Sequence, residues 1–126
     1  EICKDMDFPA LIRADAARGV RLAAVPAGDF GADAWLHARM AMLRGVENGF
    51  ALVRSAHHGL LSVSDDRGRT VALRTAAPQG MSAVVAAVPL GSGPTLYTRL
   101  GDLFAWVSVA ATLIVAGLAL RRGRAD

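Results

Sequence analysis

The sequence predicts a mixed α/β layered domain with part of its sheet absent, followed by one C-terminal transmembrane helix. Three observations carry this. Strand-type and helix-type segments alternate over residues 1–100. Two apolar runs flank a set of turn residues near position 66. An uncharged stretch, Leu103–Leu120, is followed at once by arginines.

Taken in order, Glu1-Ile2-Cys3 reads as the end of a strand that begins elsewhere. Pro9 suits the first turn of a helix and Gly19 its stop, which places a helix near 9–18. Val20–Val25 is a short apolar run closed by Pro26, the pattern of a buried strand. Residues 26–33 hold Pro, Gly and Asp and read as a loop. Asp33 is placed to cap a helix over Ala34–Asn48, with Gly49 as its stop and Leu36, Met40 and Leu43 as its buried stripe. Phe50–Arg54 reads as a strand. Leu60–Ser64 and Thr70–Arg74 around Asp65-Asp66-Arg67-Gly68 form a hairpin. Ser82–Val88 is a further apolar strand, and Gly91-Ser92-Gly93-Pro94 a linker.

At ~1.5 Å per residue, Leu103–Leu120 spans roughly 27 Å, near the ~30 Å hydrocarbon core of a bilayer. Asp102 bounds one end, and Arg121, Arg122 and Arg124 the other, with Trp106 near the level of interfacial aromatics. The arginines place the C-terminus in the cytoplasm and residues 1 to about 100 on the far side. Ser108, Thr112 and Ala116 share one face suited to helix packing.

Composition narrows the function classes. The 126 residues are 53% hydrophobic and carry a formal charge of +3, with a mean hydropathy of +0.36. Lys4 is the one lysine among fourteen basic residues. The arginines are not gathered on a face with aromatics for stacking, so no nucleic-acid partner is expected. One cysteine excludes an internal disulfide and a Cys-paired zinc site. The chain opens on Glu1 without a signal peptide and reads as the tail of something longer.

Cys3, at a strand-to-helix turn, is the candidate nucleophile: such a turn exposes the side chain, and the backbone N–H groups after it face a developing oxyanion. The alternative is a small buried hydrophobe, the usual fate of a free cysteine. His57 and His58 are adjacent, and in an extended segment they point to opposite faces, which argues against chelation by both. A substrate contact and a solvated loop both remain open for them. His37, beside the apolar stripe, reads as a packed or hydrogen-bonded helix residue, Glu47 as structural, and Arg39 and Arg44 as members of ion pairs within the domain. No metal site is expected.

Ile2-Cys3-Lys4-Asp5-Met6-Asp7-Phe8-Pro9 resembles the nucleophile segment of the nitrilase, or carbon–nitrogen hydrolase, superfamily. The likeness continues in Val25-Pro26-Ala27 with Asp29-Phe30-Gly31, in His37-Ala38-Arg39-Met40, in Arg44–Gly49 and in Ser64–Arg69. Gly93–Asp102 followed by a membrane helix is similar to the end of apolipoprotein N-acyltransferases. The resemblance implies the C-terminal part of a nitrilase-like α-β-β-α sandwich over residues 1–98, beginning at the nucleophile strand. A transmembrane helix over 99–120 and a basic cytoplasmic tail over 121–126 complete the division.

It further implies a Glu–Lys–Cys triad whose Glu and Lys lie upstream of Cys3, with the Lys4 backbone N–H contributing to the oxyanion hole. Asp5 is an accessory carboxylate that orients the site or interacts with the helix start. No cofactor is implied. The implied partners are a phospholipid acyl donor, a lipoprotein acceptor, the bilayer and the upstream part of the same chain. The setting is a bacterial inner membrane, with the domain periplasmic. Lys4-Asp5 replaces the Tyr-Glu usual in that branch, and Gly28 replaces bulkier residues; both bear on substrate choice. Two other readings stand beside acyl transfer: a membrane-anchored amidase or nitrilase using the same thioester chemistry, and a non-catalytic tethered binding module. The isolated piece, lacking the Glu and Lys, is expected to be inactive.

Overall fold

The computed structural model describes residues 2–29 and 31–122. Glu1, Phe30 and the end of the basic tail, including Arg124, lie outside the described residues. A 3-10 turn over Cys3–Asp7 leads into α1 (Pro9–Ala16), β1 (Leu22–Gly28) and α2 (Ala34–Asn48). Then come β2 (Ala51–His57), β3 (Leu60–Ser64), β4 (Thr70–Thr75), α3 (Leu96–Leu100) and α4 (Leu103–Arg122). The sheet order is β1-β2-β3-β4. β1 and β2 run parallel, from Leu22 opposite Ala51 to Gly28 opposite His57, joined by the α2 crossover that a parallel pair requires. The β2–β3 and β3–β4 pairs are antiparallel.

The expected strand end at Glu1–Cys3 is corrected: Ile2 has extended backbone, but Cys3 already begins the 3-10 turn. α1 ends at Ala16, two residues early, through a turn closed by Gly19 at φ 90°. β1 does not stop at Pro26 but continues to Gly28. Pro26 is tolerated there because β1 is an edge strand among the described residues, where a missing N–H removes no ladder bond. The loop therefore starts later than position 26.

The buried face of α2 is Ala34, Ala38, Ala41, Gly45 and Asn48, at alternating steps of four and three. The expected stripe is corrected: Leu36 and Leu43 are 52% and 48% exposed, and Met40 is only half-buried. The reason is proximity. A Cβ on Gly45 would lie 2.8 Å from the Phe50 carbonyl oxygen, so only small side chains fit between α2 and the sheet. Against them pack Met6, Ile12, Ala16, Ala23, Val25, Phe50 and Leu52, the core of the domain. Asp33 precedes α2 without a side-chain capping bond. Its φ of −95° and ψ of −1° continue the 3-10 turn Gly31–Asp33, away from the extended conformation a capping side chain needs. Gly49 closes α2 at φ 73°, as expected.

The hairpin stands where its turn residues place it. Asp65 accepts from the Arg67 and Arg69 backbone N–H groups at 3.0 and 2.9 Å and from the Arg69 guanidinium at 2.6 Å. Ser82–Val88 forms no strand; it alternates half-buried and exposed residues but has no ladder partner among the described residues. The segment expected to be a linker is a fitted strap. Gly91 N–H donates to Arg21 O at 2.8 Å, Gly93 N–H to Gly49 O at 2.9 Å, and Ser92 N–H to Asp66 at 2.8 Å. A Cβ on Gly91 would meet Gly49 O at 2.2 Å, so backbone packs directly on backbone there. Beyond the strap, Thr95 caps α3 and bonds the Glu47 carbonyl, while buried Thr98 donates to Asn48 at 3.2 Å. α3 is thereby fastened to the end of α2. α4 is wholly exposed and is long and apolar enough to cross a membrane.

Candidate active site around Cys3

Cys3 is the first residue of the 3-10 turn and has φ 39°, a left-handed conformation uncommon for a residue with a side chain. The turn is held from both sides. Asp5 accepts the Ile2 N–H at 2.7 Å, and Met6 is buried in the core. Asp5 thus closes the turn that presents Cys3. The Lys4 ammonium is exposed and lies 3.8 Å from Asp7. The half-buried Cys3 thiol donates to the Gly28 carbonyl at 3.6 Å. It therefore sits at the carboxyl end of the parallel β1–β2 pair, the end where open α/β sheets bind ligands.

A small cavity beside the thiol is lined by Cys3, Lys4, His37 and Arg54, among others. Its wall is built on Asp29, just past β1. Both Asp29 oxygens accept from the Arg54 guanidinium, at 2.6 and 2.9 Å, and one lies 3.2 Å from His37 Nδ1. The Asp29 N–H donates to His57 O at 2.9 Å, extending the β1–β2 ladder by one bond. Asp29 and Arg54 are 6% and 4% exposed. Burial pushes the Asp29 carboxyl up, but the Arg54 guanidinium and His37 outweigh it and hold the group below the usual carboxylate range. Gly59 makes room for this carboxylate: a Cβ there would sit 1.9 Å from it.

Sequence reasoning places His37 as a hydrogen-bonded helix residue, and so it is. It misses Asp29 and Arg54 as a pair. The available signal is an arginine inside the apolar run Phe50–Arg54, a position that requires a buried partner. His57 and His58 do not point to opposite faces; their ring centroids are 3.8 Å apart. His58 has φ 55° in the β2–β3 turn, and that bend removes the alternation of an extended strand. Both are exposed at the rim, and neither lines the Cys3 cavity. Arg44 pairs with Glu47 at 2.6 Å, whereas Arg39 forms no ion pair among the described residues and instead stacks over Trp35 at 4.6 Å. Among the described residues no three His, Cys, Asp or Glu side chains are grouped to hold a metal.

No family model matches the chain. Individual proteins do. It is 40% identical over 126 residues to the apolipoprotein N-acyltransferase of Geobacter metallireducens, covering 96% of this chain and 24% of that one. It is 40% identical over 80 residues to the apolipoprotein N-acyltransferase of Bradyrhizobium diazoefficiens, covering 64% of this chain and 14% of that one. The chain is similar in sequence to apolipoprotein N-acyltransferases and in fold to an amidase of the nitrilase superfamily.

Solved nitrilase-superfamily structures agree. An amidase from Nesterenkonia superposes with a TM-score of 0.51 at 29% identity, over 59% of this chain and 32% of the amidase. The NitFhit protein of C. elegans gives 0.55 at 26%, over 60% of this chain and 21% of NitFhit. One form of the amidase carries the acetamide moiety of fluoroacetamide covalently at its active-site cysteine. The chain spans about a quarter or less of the length of the acyltransferases named.

Proposed function

We propose that the chain is the C-terminal part of a membrane-bound nitrilase-superfamily acyltransferase with Cys3 as its nucleophile. The observation that supports this best is the placement of Cys3. It is held in a left-handed turn at the carboxyl end of a parallel strand pair, in a chain whose relatives are N-acyltransferases. In this reading the Cys3 thiolate attacks the ester carbonyl of a phospholipid. The carbonyl carbon–oxygen bond breaks, the alcohol of the lysophospholipid leaves with a proton, and a thioester remains on Cys3. The N-terminal amine of a lipoprotein then attacks the thioester, forms an amide, and returns the thiol. The Glu base and oxyanion Lys that the family resemblance implies come from upstream, and the Lys4 backbone N–H assists the oxyanion. Asp5 acts through the turn it closes, and His57 and His58 contact substrate from the rim.

In this reading α4 crosses the inner membrane, with Arg121 and Arg122 cytoplasmic and the domain periplasmic, on the side where both lipid substrates are held. Full-length protein incubated with phospholipid labelled in its acyl chain is expected to form a hydroxylamine-sensitive adduct that Cys3→Ala abolishes. The same adduct on Cys3→Ala would refute the assignment. The likeness to an amidase favours a second reading, in which water resolves the thioester. Release of free fatty acid at an unchanged rate when an acceptor peptide is added would select hydrolysis over transfer.

A further inference from the structure

Arg54 stands on the same face of β2 as Leu52 and Ala56, in the wall of the cavity that holds Cys3. A guanidinium at such a place is costly unless fully partnered, and apolar residues of similar volume commonly replace buried ion pairs without loss of stability. Among the described residues its one charged partner is Asp29, which grips it with both oxygens; Leu60 O adds a contact at 3.4 Å. The same carboxylate holds His37 from α2, and the carbonyl of the preceding residue, Gly28, receives the Cys3 thiol. One carboxylate therefore partners both polar side chains that α2 and β2 present to the cavity beside the nucleophile, His37 and Arg54.

We propose that Asp29 is a positioning residue for the Cys3 site, compensating Arg54 and orienting His37 so that the thiol meets a balanced wall. Among the described residues the charged and titratable groups around Cys3 are few, and in the full-length protein the upstream Glu and Lys of the proposed triad join them equally in wild type and variants. Lys4, Asp5 and Asp7 come from its own turn, with Lys4 facing Asp7 and Asp5 engaged by Ile2. His37 comes from α2 and Arg54 from β2. Among these, Arg54 is the buried cation, so loss of the Asp29 charge exposes Cys3 to an uncompensated positive group, which favours the thiolate.

The test is the rate of iodoacetamide alkylation at Cys3 against pH in the full-length protein, followed by mass spectrometry of the Cys3 peptide. Asp29→Asn is expected to raise the rate at about pH 6 by about three- to tenfold, thiolate gain being offset in part by lower nucleophilicity. Arg54→Met, which leaves the carboxylate alone, is expected to lower it. The double variant is expected to return to the wild-type profile. A purely structural pair would not produce opposite shifts that cancel. Superimposable profiles for folded single variants, or a double variant that keeps the Asp29→Asn shift, would overturn the proposal. Should Asp29→Asn not fold, the Arg54→Met arm decides alone: a slower rate supports the proposal and an unchanged one overturns it. The proposal rests on Cys3 as the nucleophile, but alkylation needs neither acyl donor nor acceptor. Its failure is therefore separable from failure of the acyl-adduct assay.

Discussion

Asp29 and Gly59 show how tightly single residues are specified around Cys3. The carboxylate is ionised against Arg54 and held below its ordinary range in the fold. A depressed folded value means that its contribution is fully present above the unfolded value of about 3.9 and is lost as pH falls through the folded one. Acid unfolding followed by circular dichroism is expected to begin nearer neutrality for Asp29→Asn than for wild type, because the variant lacks that contribution at every pH. Identical acid transitions would contradict the pairing. Gly59→Ala places a methyl group against the same carboxylate and is expected to cost about 1–3 kcal/mol, read as a lower denaturant midpoint. This cluster was hidden in the sequence because its three members lie on β2, α2 and the end of β1, and only the parallel register brings them together. The turn that carries Cys3 is local by contrast, set by Asp5 accepting the Ile2 N–H three residues back.

At the scale of elements, legibility follows the range of the determining interaction. The β3–β4 hairpin is written in adjacent residues: Asp65 supplies its acceptors and Gly68 its positive φ. The span and stop of α2 are likewise local. The face α2 buries is not, because the closeness of Phe50 selects Ala and Gly where leucines suggest the core. Gly45→Ala poses two opposed effects. Helix propensity favours alanine by up to about 1 kcal/mol, while a Cβ at 2.8 Å from a carbonyl forces α2 off the sheet at about 1–3 kcal/mol. The clash is expected to win, so the thermal midpoint falls; a rise would show that α2 has room to move. Ser82–Val88 has the alternation of a strand but no ladder, and pairing depends on a neighbour that composition does not reveal. In α4 the hydroxyls of Ser108 and Thr112 donate to the Phe104 and Ser108 carbonyls at 2.8 Å, so both are satisfied within the helix.

For the whole molecule, the apolar and basic composition resolves into two parts of different chemistry. The domain buries a core in which Met6, Ile12, Val25, Phe50 and Leu52 pack with small alanines, and α4 carries the apolar excess without burying any of it. Asn48, Thr95 and Thr98 join them, fastening α3 to the domain one residue pair before α4 begins. Reporter fusion after Asp126 is expected to give a cytoplasmic signal, and a periplasmic one would reverse the proposed topology.

The most direct test of the account is acyl-enzyme formation by the full-length protein in bilayers containing phospholipid with a labelled acyl chain. A hydroxylamine-labile label is expected on the peptide containing Cys3, absent from Cys3→Ala and discharged by a peptide with an N-terminal amine. Label retained in Cys3→Ala, or carried on another residue of the wild type, would contradict it.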